Sequence, residues 1–471
     1  MAGDYIEAKL IDGYRNYGYT LQTSVADLVD NSLDANASWV QVAFNRNAEQ
    51  KVNGAFFLDN GDGMSEKELF DAMCFGVSEE NFASDKFRLG RFGFGLKTAS
   101  FAHAKKLIVA SKKKGDLIPN ALKWDLENTF RAQGSGPLVT QLGPADVNDL
   151  SWSWIEKYLM PLDQGTIVIW EKIDGIINDR NLPKEEMYKH WMRLNDIVKT
   201  HLGMVFNKRI SDPNNPFKIY SPVRSERFLT MPWSPSCREI EGVKKIIDEK
   251  IEIENNDSIF VRGYILPKYD ELSKLDKELI EGPEGMNGHQ GFTIYRNNRV
   301  LVSGDWISLE HNSRQIKRST RYNRIRIILE LPQSMDKLWD FDVKKSQILP
   351  PLILRKPLEN IFARMLEQLE LTQKKTSNKK RNIFSNDNTI SPWVINKSLK
   401  GILSAKLFRD HKIFEELKKF NNIKEDALED LLKDIESSFP FNKLFDEFAN
   451  QNQTNDISES KEWDEIKKDR D

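Results

Sequence analysis

Apolar and polar positions change period several times along this 471-residue chain. Residues 22–36 place Val25, Leu28, Val29 and Leu33 at helical spacing, whereas residues 39–44 alternate as a strand does. Residues 55–58 are a short apolar strand running into a glycine-rich turn, and residues 106–110 and 166–170 read as further strands. A helical pattern over 184–202 leads into a region, about 215–345, where strands dominate: SIFVRGYILP, GFTIYRNNRVLV and RIRIILEL, with turns at Asn297-Asn298 and Gly304. After Pro350-Pro351 comes a helical run over 352–371. The polar, basic stretch TQKKTSNKKRNIFSNDN then reads as a linker, and the remainder as helical and increasingly acidic. The expected organisation is an α/β domain over 1–205, an α+β domain over 206–350, a helix over 351–372, a linker over 373–390 and a helical region over 391–471.

Composition narrows the function classes. Lys plus Arg (69) nearly balances Asp plus Glu (71), so any binding to nucleic acid must come from a local patch. Cys74 and Cys237 are too few for a disulfide framework and match no metal-ligand spacing. There is no run of 18 apolar residues and no apolar core near the start of the chain, so the expectation is a cytoplasmic protein with no membrane contact.

Four segments carry candidate chemistry. In TSVADLVDNSLDANA, Asp27, Asn31 and Asp34 share one helical face at i, i+4 and i+7, with Asp30 beside them. A carboxamide among carboxylates suits Mg²⁺, and a nearby carboxylate orients a water for attack on a phosphate; a solvated helix face is the plain alternative. In FFLDNGDGM an apolar strand delivers Asp59 into a turn where Gly61 and Gly63 permit close backbone approach. A buried carboxylate there accepts the exocyclic amine of adenine and the glycines leave room for the ring, although DxGxG by itself is usually only a turn. In LGRFGFGLKTASF, Gly90, Gly93 and Gly95 enter a helix whose free amides favour phosphate, with Lys97 one turn in. The pattern is neither a Walker A loop nor a Rossmann fingerprint. In DQGTIVIWEKID, Gly165-Thr166 opens a strand and offers a hydroxyl near the base.

Together and in this order the four segments resemble the N, G1, G2 and G3 boxes of the GHKL (Bergerat-fold) ATPases, the family of gyrase B, the ninety-kilodalton heat-shock chaperones, histidine kinases and MutL. The resemblance covers residues 20–175 and implies an α/β sandwich binding ATP and Mg²⁺. It implies Asn31 as the Mg²⁺ ligand, with Asp34 close to it on the nucleotide side. Asp59 and Thr166 fall at adenine, in a turn made by Gly61 and Gly63, and Met64 beside the base. Gly90, Arg91, Phe92, Gly93, Phe94, Gly95, Leu96 and Lys97 surround the phosphates, and residues 74–92 form a lid. Most hydrolysing members carry Glu four residues before the Asn. Here that position is Asp27, one methylene shorter, which points to slow hydrolysis, with Asp30 as the fallback base.

GRFGFGLKTASF and GTIVIW look most like the MORC branch. The opening LIDGYRNYGYTLQTSVADLVDNSLDA resembles bacterial MORC-like ATPases of restriction-modification and antiphage systems, which implies a helicase, nuclease or methyltransferase partner. QGFTIYRNNRVLVSGDW resembles their S5-like transducer domain, and WDFDVKKSQILPP falls where that domain presents a lysine to the γ-phosphate, Lys345 first and Lys344 second. An ATP-dependent homodimer is expected, with Tyr14, Tyr17 and Tyr19 as candidates for its strap. Arg296, Arg299, Arg314, Lys317, Arg318, Arg321, Arg324 and Arg326 crowd into residues 296–326 and, with Lys374, Lys375, Lys379, Lys380 and Arg381, form a candidate DNA patch; a solvated sheet face is the other reading. No H-box, endonuclease motif or Cys/His zinc module accompanies them, so the expected chemistry is ATP hydrolysis alone.

Overall fold

Helix α1 (Leu21–Asp34) starts where Thr20 and Thr23 cap it reciprocally, each side-chain hydroxyl accepting from the other residue's amide. It stops before Asn36, whose φ of 58° is a left-handed conformation that asparagine tolerates. In the computed structural model the described residues are 15, 18–74, 95–127, 139–143, 150–174, 182–253, 258–332, 334–335, 339–341, 348–382, 393–397, 403–407, 430, 432–433 and 435.

The inward face of α1, with Val25, Leu28 and Val29, packs on a seven-stranded sheet. Its strands are β1 (Trp39–Arg46), β2 (Val52–Asp59), β3 (Ala104–Lys112), β4 (Asn120–Asp125), β5 (Val139–Leu142), β6 (Gly165–Ile173) and β7 (Lys218–Tyr220), in the order β5-β4-β3-β6-β2-β1-β7. All neighbours are antiparallel except β1 and β7. Helices α2 (Glu66–Met73), α3 (Gly95–Phe101), α4 (Leu150–Trp154), α5 (Lys184–Val205) and the single turn α6 (Asn207–Ile210) complete this layer structure.

Both faces of the sheet are covered, which explains why β2 reads as a continuous apolar run rather than an alternating one. Phe57 points into the core with α1, Val198, Leu202 and Phe206. Phe56 and Leu58 point to the other face, against Trp152, Trp154, Ile155 and Leu159. Phe57 also meets Trp170 of β6 edge-on, with ring centroids 4.6 Å apart. The mixed α/β architecture expected from the sequence is the one observed.

A second, five-stranded sheet follows, built from β8 (Lys244–Glu252), β9 (Ser258–Ile265), β10 (Gly291–Arg296) and β11 (Arg299–Asp305), with α7 (Lys274–Glu281) and α8 (Gly285–Gly288) between β9 and β10. After the two-residue strands β12 (Glu310–His311) and β13 (Arg314–Gln315), β14 (Ile325–Leu331) completes the order β11-β10-β14-β9-β8. The turn between β10 and β11 takes positive φ at both Asn297 (50°) and Asn298 (62°), the geometry of a tight two-residue hairpin. β8 escapes sequence reading because most of its residues are charged and exposed.

Contacts divide the chain into two units, Met1–Ser308 with Arg326–Leu358, and Leu309–Ile325 with Glu359–Asp471. Both large sheets therefore belong to the first. In the second, Phe362 of α9 (Leu352–Asn382) meets His311 and Tyr322, and Arg321 pairs with Glu370 at 2.7 Å. Two expectations differ from this structure. Helix α9 runs to Asn382, into the stretch read as a linker, because its run of Lys, Gln and Asn contains no glycine or proline to stop it. Strands Trp393–Lys397 and Leu403–Leu407 pair antiparallel where helix was expected, as the β-branched and aromatic run Trp393-Val394-Ile395 favours. No helix among the described residues is long and apolar enough to cross a membrane.

Gly304 gives a test of the second sheet. Its φ is 68°, and a Cβ there would lie 1.9 Å from the Gly288 carbonyl oxygen and 2.6 Å from the His289 Cα. Both are backbone atoms, so Gly304→Ala should destabilise the protein by about 2 kcal/mol or more. A urea titration reads this directly, and an unchanged midpoint would contradict the close approach.

Candidate functional site

Asp59 ends β2 at the edge of the core and is 6% exposed. Its Oδ1 accepts from the amides of Gly61 (2.9 Å) and Thr166 (3.2 Å), and its Oδ2 accepts from the hydroxyl of Ser32 on α1 (2.9 Å). Burial pushes the Asp59 carboxyl up from 3.8 to about 6, against the three hydrogen bonds, which pull it down. A carboxylate offers about four lone-pair sites. Three are used by these donors, and one on Oδ2 remains for an incoming N–H. Beside it, the Ser111 hydroxyl of β3 lies 2.8 Å from that of Thr166 and accepts from the amide of Met64 at 2.8 Å.

The glycines around Asp59 permit the close backbone approach expected of Gly61 and Gly63. A Cβ on Gly61 would stand 2.6 Å from the Ala35 carbonyl oxygen, and one on Gly63, at φ 69°, 2.1 Å from that of Lys112. On Gly165 it would stand 2.2 Å from the Asp59 carbonyl oxygen. The space beside these glycines is filled by the protein's own main chain, so they let α1, β2, β3 and β6 converge.

The acidic face of α1 is divided. Asn31 is exposed, and its carboxamide makes no hydrogen bond to a described residue; Asp34 is half-buried. Asp30 is buried and pairs with Arg299 of β11, whose Nε lies 2.7 Å away. Arg299 also reaches Asp27 at 3.4 Å, and the Tyr19 hydroxyl donates to the other Asp27 oxygen at 3.1 Å. Burial, then the charge of Asp27, raises the Tyr19 hydroxyl above its ordinary range. Burial works against the charge on Arg299, but Asp30 and Asp27 outweigh it and the guanidinium is held protonated. His201 of α5 stands in the same cluster and is pushed down to about 4 by burial and by Arg299.

At the start of α3, Gly95 and Leu96 are half-buried, and no described atom lies within 4 Å of where a Gly95 Cβ would sit. Lys97 is buried and donates to the carbonyls of Ala72 (2.9 Å) and Cys74 (2.6 Å), at the carbonyl end of α2. Burial pushes its amine down to about 8. These carbonyl partners lie at a helix C-terminus.

A family model described as histidine kinase-, DNA gyrase B- and HSP90-like ATPase matches residues 19–149. Over residues 19–149 the chain is thus similar to the GHKL ATPases. Human MORC family CW-type zinc finger protein 1 is 38% identical to it over 94 residues, 19% of this chain and 9% of that protein. The Caenorhabditis elegans ATPase morc-1 is 34% identical over 96 residues, 20% of this chain and 10% of that protein. The match thus spans about a tenth of the length of these relatives. Among solved structures, the N-terminal domain of a DNA repair protein is 18% identical, with a TM-score of 0.40, covering 78% of this chain and 96% of that one.

The structure brings Asp59, Gly61, Gly63, Met64 and Thr166 together, and places Asp27, Asp30, Asn31 and Asp34 on α1 as expected. Gly90, Arg91, Phe92, Gly93, Phe94, Lys344, Lys345, Tyr14, Tyr17 and lid residues 75–92 lie outside the described residues. Ser32, Ser111 and Arg299 were missed as site residues. The signals were slight: a hydroxyl in the apolar run LIVAS, another directly after Asn31, and an arginine closing an Asn-Asn turn.

Three members of the expected DNA patch require correction. Arg296, Arg299 and Arg326 are 7%, 5% and 0% exposed. They occupy inward positions of β10, β11 and β14; Arg326 donates to the Met286 carbonyl at 3.1 Å and Arg299 is paired with α1. Arg314, Lys317, Arg318 and Arg321 are exposed.

If adenine meets Asp59 as the sequence resemblance implies, its raised carboxyl predicts how nucleotide affinity depends on pH. Its folded value lies above its unfolded one, so ionising it costs folding stability as pH rises from 3.8 through about 6. Accepting an amine needs the ionised form, so ATP affinity should fall on acidification below about pH 6. Asp59→Asn should remove this dependence and weaken binding by ~30-fold, the loss of one hydrogen bond to a charged group, about 2 kcal/mol. Calorimetric titration between pH 5 and 8 measures both, and equal affinity for wild type and variant across that range would remove Asp59 from the site.

Proposed function

We propose that this chain binds ATP with Mg²⁺ and hydrolyses it slowly, and that the nucleotide state gates a homodimer that encloses DNA. The observation that carries the ATP reading is Asp59: a buried carboxylate with three donors in place and one lone-pair site left, framed by main chain on every strand that reaches it. That arrangement suits the exocyclic amine of adenine, with the Thr166 and Ser111 hydroxyls beside it.

Asn31 fits the role of Mg²⁺ ligand. Its carboxamide is exposed on the face that carries Asp27 and Asp34, and among the described residues there is no cluster of three or more acidic, His or Cys ligands. Mg²⁺ keeps most of its waters and takes few protein oxygens, so one carboxamide beside the substrate phosphates is enough to hold it. When bound, the ion neutralises charge on the phosphates. Asp27 would orient the attacking water, a role its length makes slow. Asp30 is the poorer candidate, because it is committed to Arg299. Gly90, Gly93, Gly95 and the neighbouring Arg91, Phe92, Phe94 and Leu96 would line the phosphates, and Lys345 or Lys344 would reach the γ-phosphate.

DNA contact would fall to the exposed Arg314, Lys317, Arg318 and Arg321 rather than to the whole basic run. The defence context, with a helicase, nuclease or methyltransferase partner in a cytoplasmic setting, rests on the resemblance of the opening segment to bacterial MORC-like ATPases. The burial of Arg296, Arg299 and Arg326 favours a second reading, an ATP-switched scaffold that binds partner proteins without DNA.

Turnover of the full chain with Mg-ATP tests the catalytic reading. Asn31→Ala and Asp27→Ala should each lower kcat at least ~100-fold, the range removed with a positioned acid or base. Turnover unaffected by both substitutions would sink the assignment. For DNA, replacing Arg314, Lys317, Arg318 and Arg321 together should weaken binding to duplex and flatten its dependence on salt, by about one unit of slope for each phosphate no longer neutralised. Wild-type protein that dimerises with a non-hydrolysable ATP analogue yet binds no duplex at low salt would favour the scaffold.

A further inference from the structure

Arg299 belongs to the second sheet, yet its guanidinium lies on the helix that carries the water-orienting carboxylate. Nε donates to Asp30 at 2.7 Å, Nη2 donates to Asp27 Oδ1 at 3.4 Å, and Nη1 donates to its neighbour's carbonyl, Val300, at 3.1 Å. The pair with Asp30 is shielded from water, both side chains being 4–5% exposed, so it is little weakened by screening.

The base of this arginine is fixed as firmly as its head. It follows the tight Asn297-Asn298 turn, whose Asn297 carbonyl accepts from Arg209 at 3.0 Å. Earlier on β10, the Tyr295 hydroxyl accepts from the Asn207 side chain at 3.0 Å. The ring of Phe206 stands 5.9 Å from the guanidinium carbon. The end of α5 and the turn α6 thus hold the hairpin against the first sheet, and the hairpin holds Arg299 against α1.

Asp27 needs such support. Being one methylene shorter than glutamate, it reaches a water only from a narrow range of orientations, and a misplacement of about 1 Å at a reacting group costs on the order of 100-fold in rate. Each of its oxygens meets an anchored donor, Tyr19 on Oδ2 and Arg299 on Oδ1.

We propose that Arg299 is a positioning residue for hydrolysis: anchored by Asp30, it fixes the Asp27 carboxylate from the second sheet so that this short side chain holds the attacking water. The proposal rests on the reading of the site as one of ATP hydrolysis. It makes the first sheet's chemistry depend on a residue that touches no nucleotide.

The double variant Arg299→Met with Asp30→Asn removes both charges of the buried pair and leaves neither uncompensated. In the full chain it should lower kcat at least tenfold while KM for ATP changes less than twofold, with Arg299→Lys falling between it and wild type. Circular dichroism and thermal melting establish that each variant is folded. A wild-type kcat in the folded double variant, or an effect confined to KM, would make Arg299 a strut between sheets and overturn the proposal. Should the double variant fail to fold, Arg299→Lys decides alone: a several-fold drop in kcat at constant KM supports positioning, and a wild-type kcat overturns it. Failure of the underlying reading looks different, since Asp27→Ala would then turn over ATP as fast as wild type.

Discussion

A charge taken out of water must be met by partners where it stands, and in this protein that requirement joins the elements that make the site. Asp59 is buried at the end of β2 and draws a donor from α1, one from the turn that follows it and one from β6. Asp30 is buried on α1 and draws a guanidinium from β11. Leaving either carboxylate unmatched would cost several kcal/mol, so the relative placement of helix and strands is constrained at two points by chemistry as well as by packing. The apolar contacts of α1 with Phe57, Leu202 and Phe206 hold the helix down; the two carboxylates determine how it is turned.

Much of this was legible in the sequence where a pattern repeats or a motif is local. The helix with Asn31, the strand ending in Asp59 and the strand opening at Thr166 all lie where their periodicity and glycines put them, because neighbouring residues alone decide them. The paired roles of residues far apart were not legible. Nothing near Arg299 announces a partner 269 positions earlier, and its place among seven other cations suggested a surface patch. Composition counts charges but does not reveal which face of a strand they occupy; Arg296, Arg299 and Arg326 lie on inward positions that only the assembled sheet defines. β8 and the strands Trp393–Lys397 and Leu403–Leu407 escaped for the related reason that strand formation depends on a partner strand.

The glycines illustrate a subtler limit. Sequence shows that Gly61 and Gly63 permit an unusual backbone, and the structure uses that freedom to bring carbonyls of Ala35 and Lys112 into the space a side chain would fill. The surroundings of Asp59 are therefore largely main chain, whose position follows from the sheet and not from rotamers. Side-chain motion contributes little to it, as befits a site that must be in place before a ligand arrives.

If adenine binds at Asp59 as proposed, the lone-pair site left by its three donors has a consequence for which bases would be admitted. An exocyclic amine points hydrogen at it. A purine with a carbonyl at the same ring position points a second lone pair, and two acceptors would then face each other beside a buried carboxylate. The ring shapes are nearly the same, so shape would separate the two poorly. On the proposed reading, discrimination would come from repulsion: the wrong base would meet an ionised oxygen that has no hydrogen to offer it, in a frame whose main chain has little room to retreat.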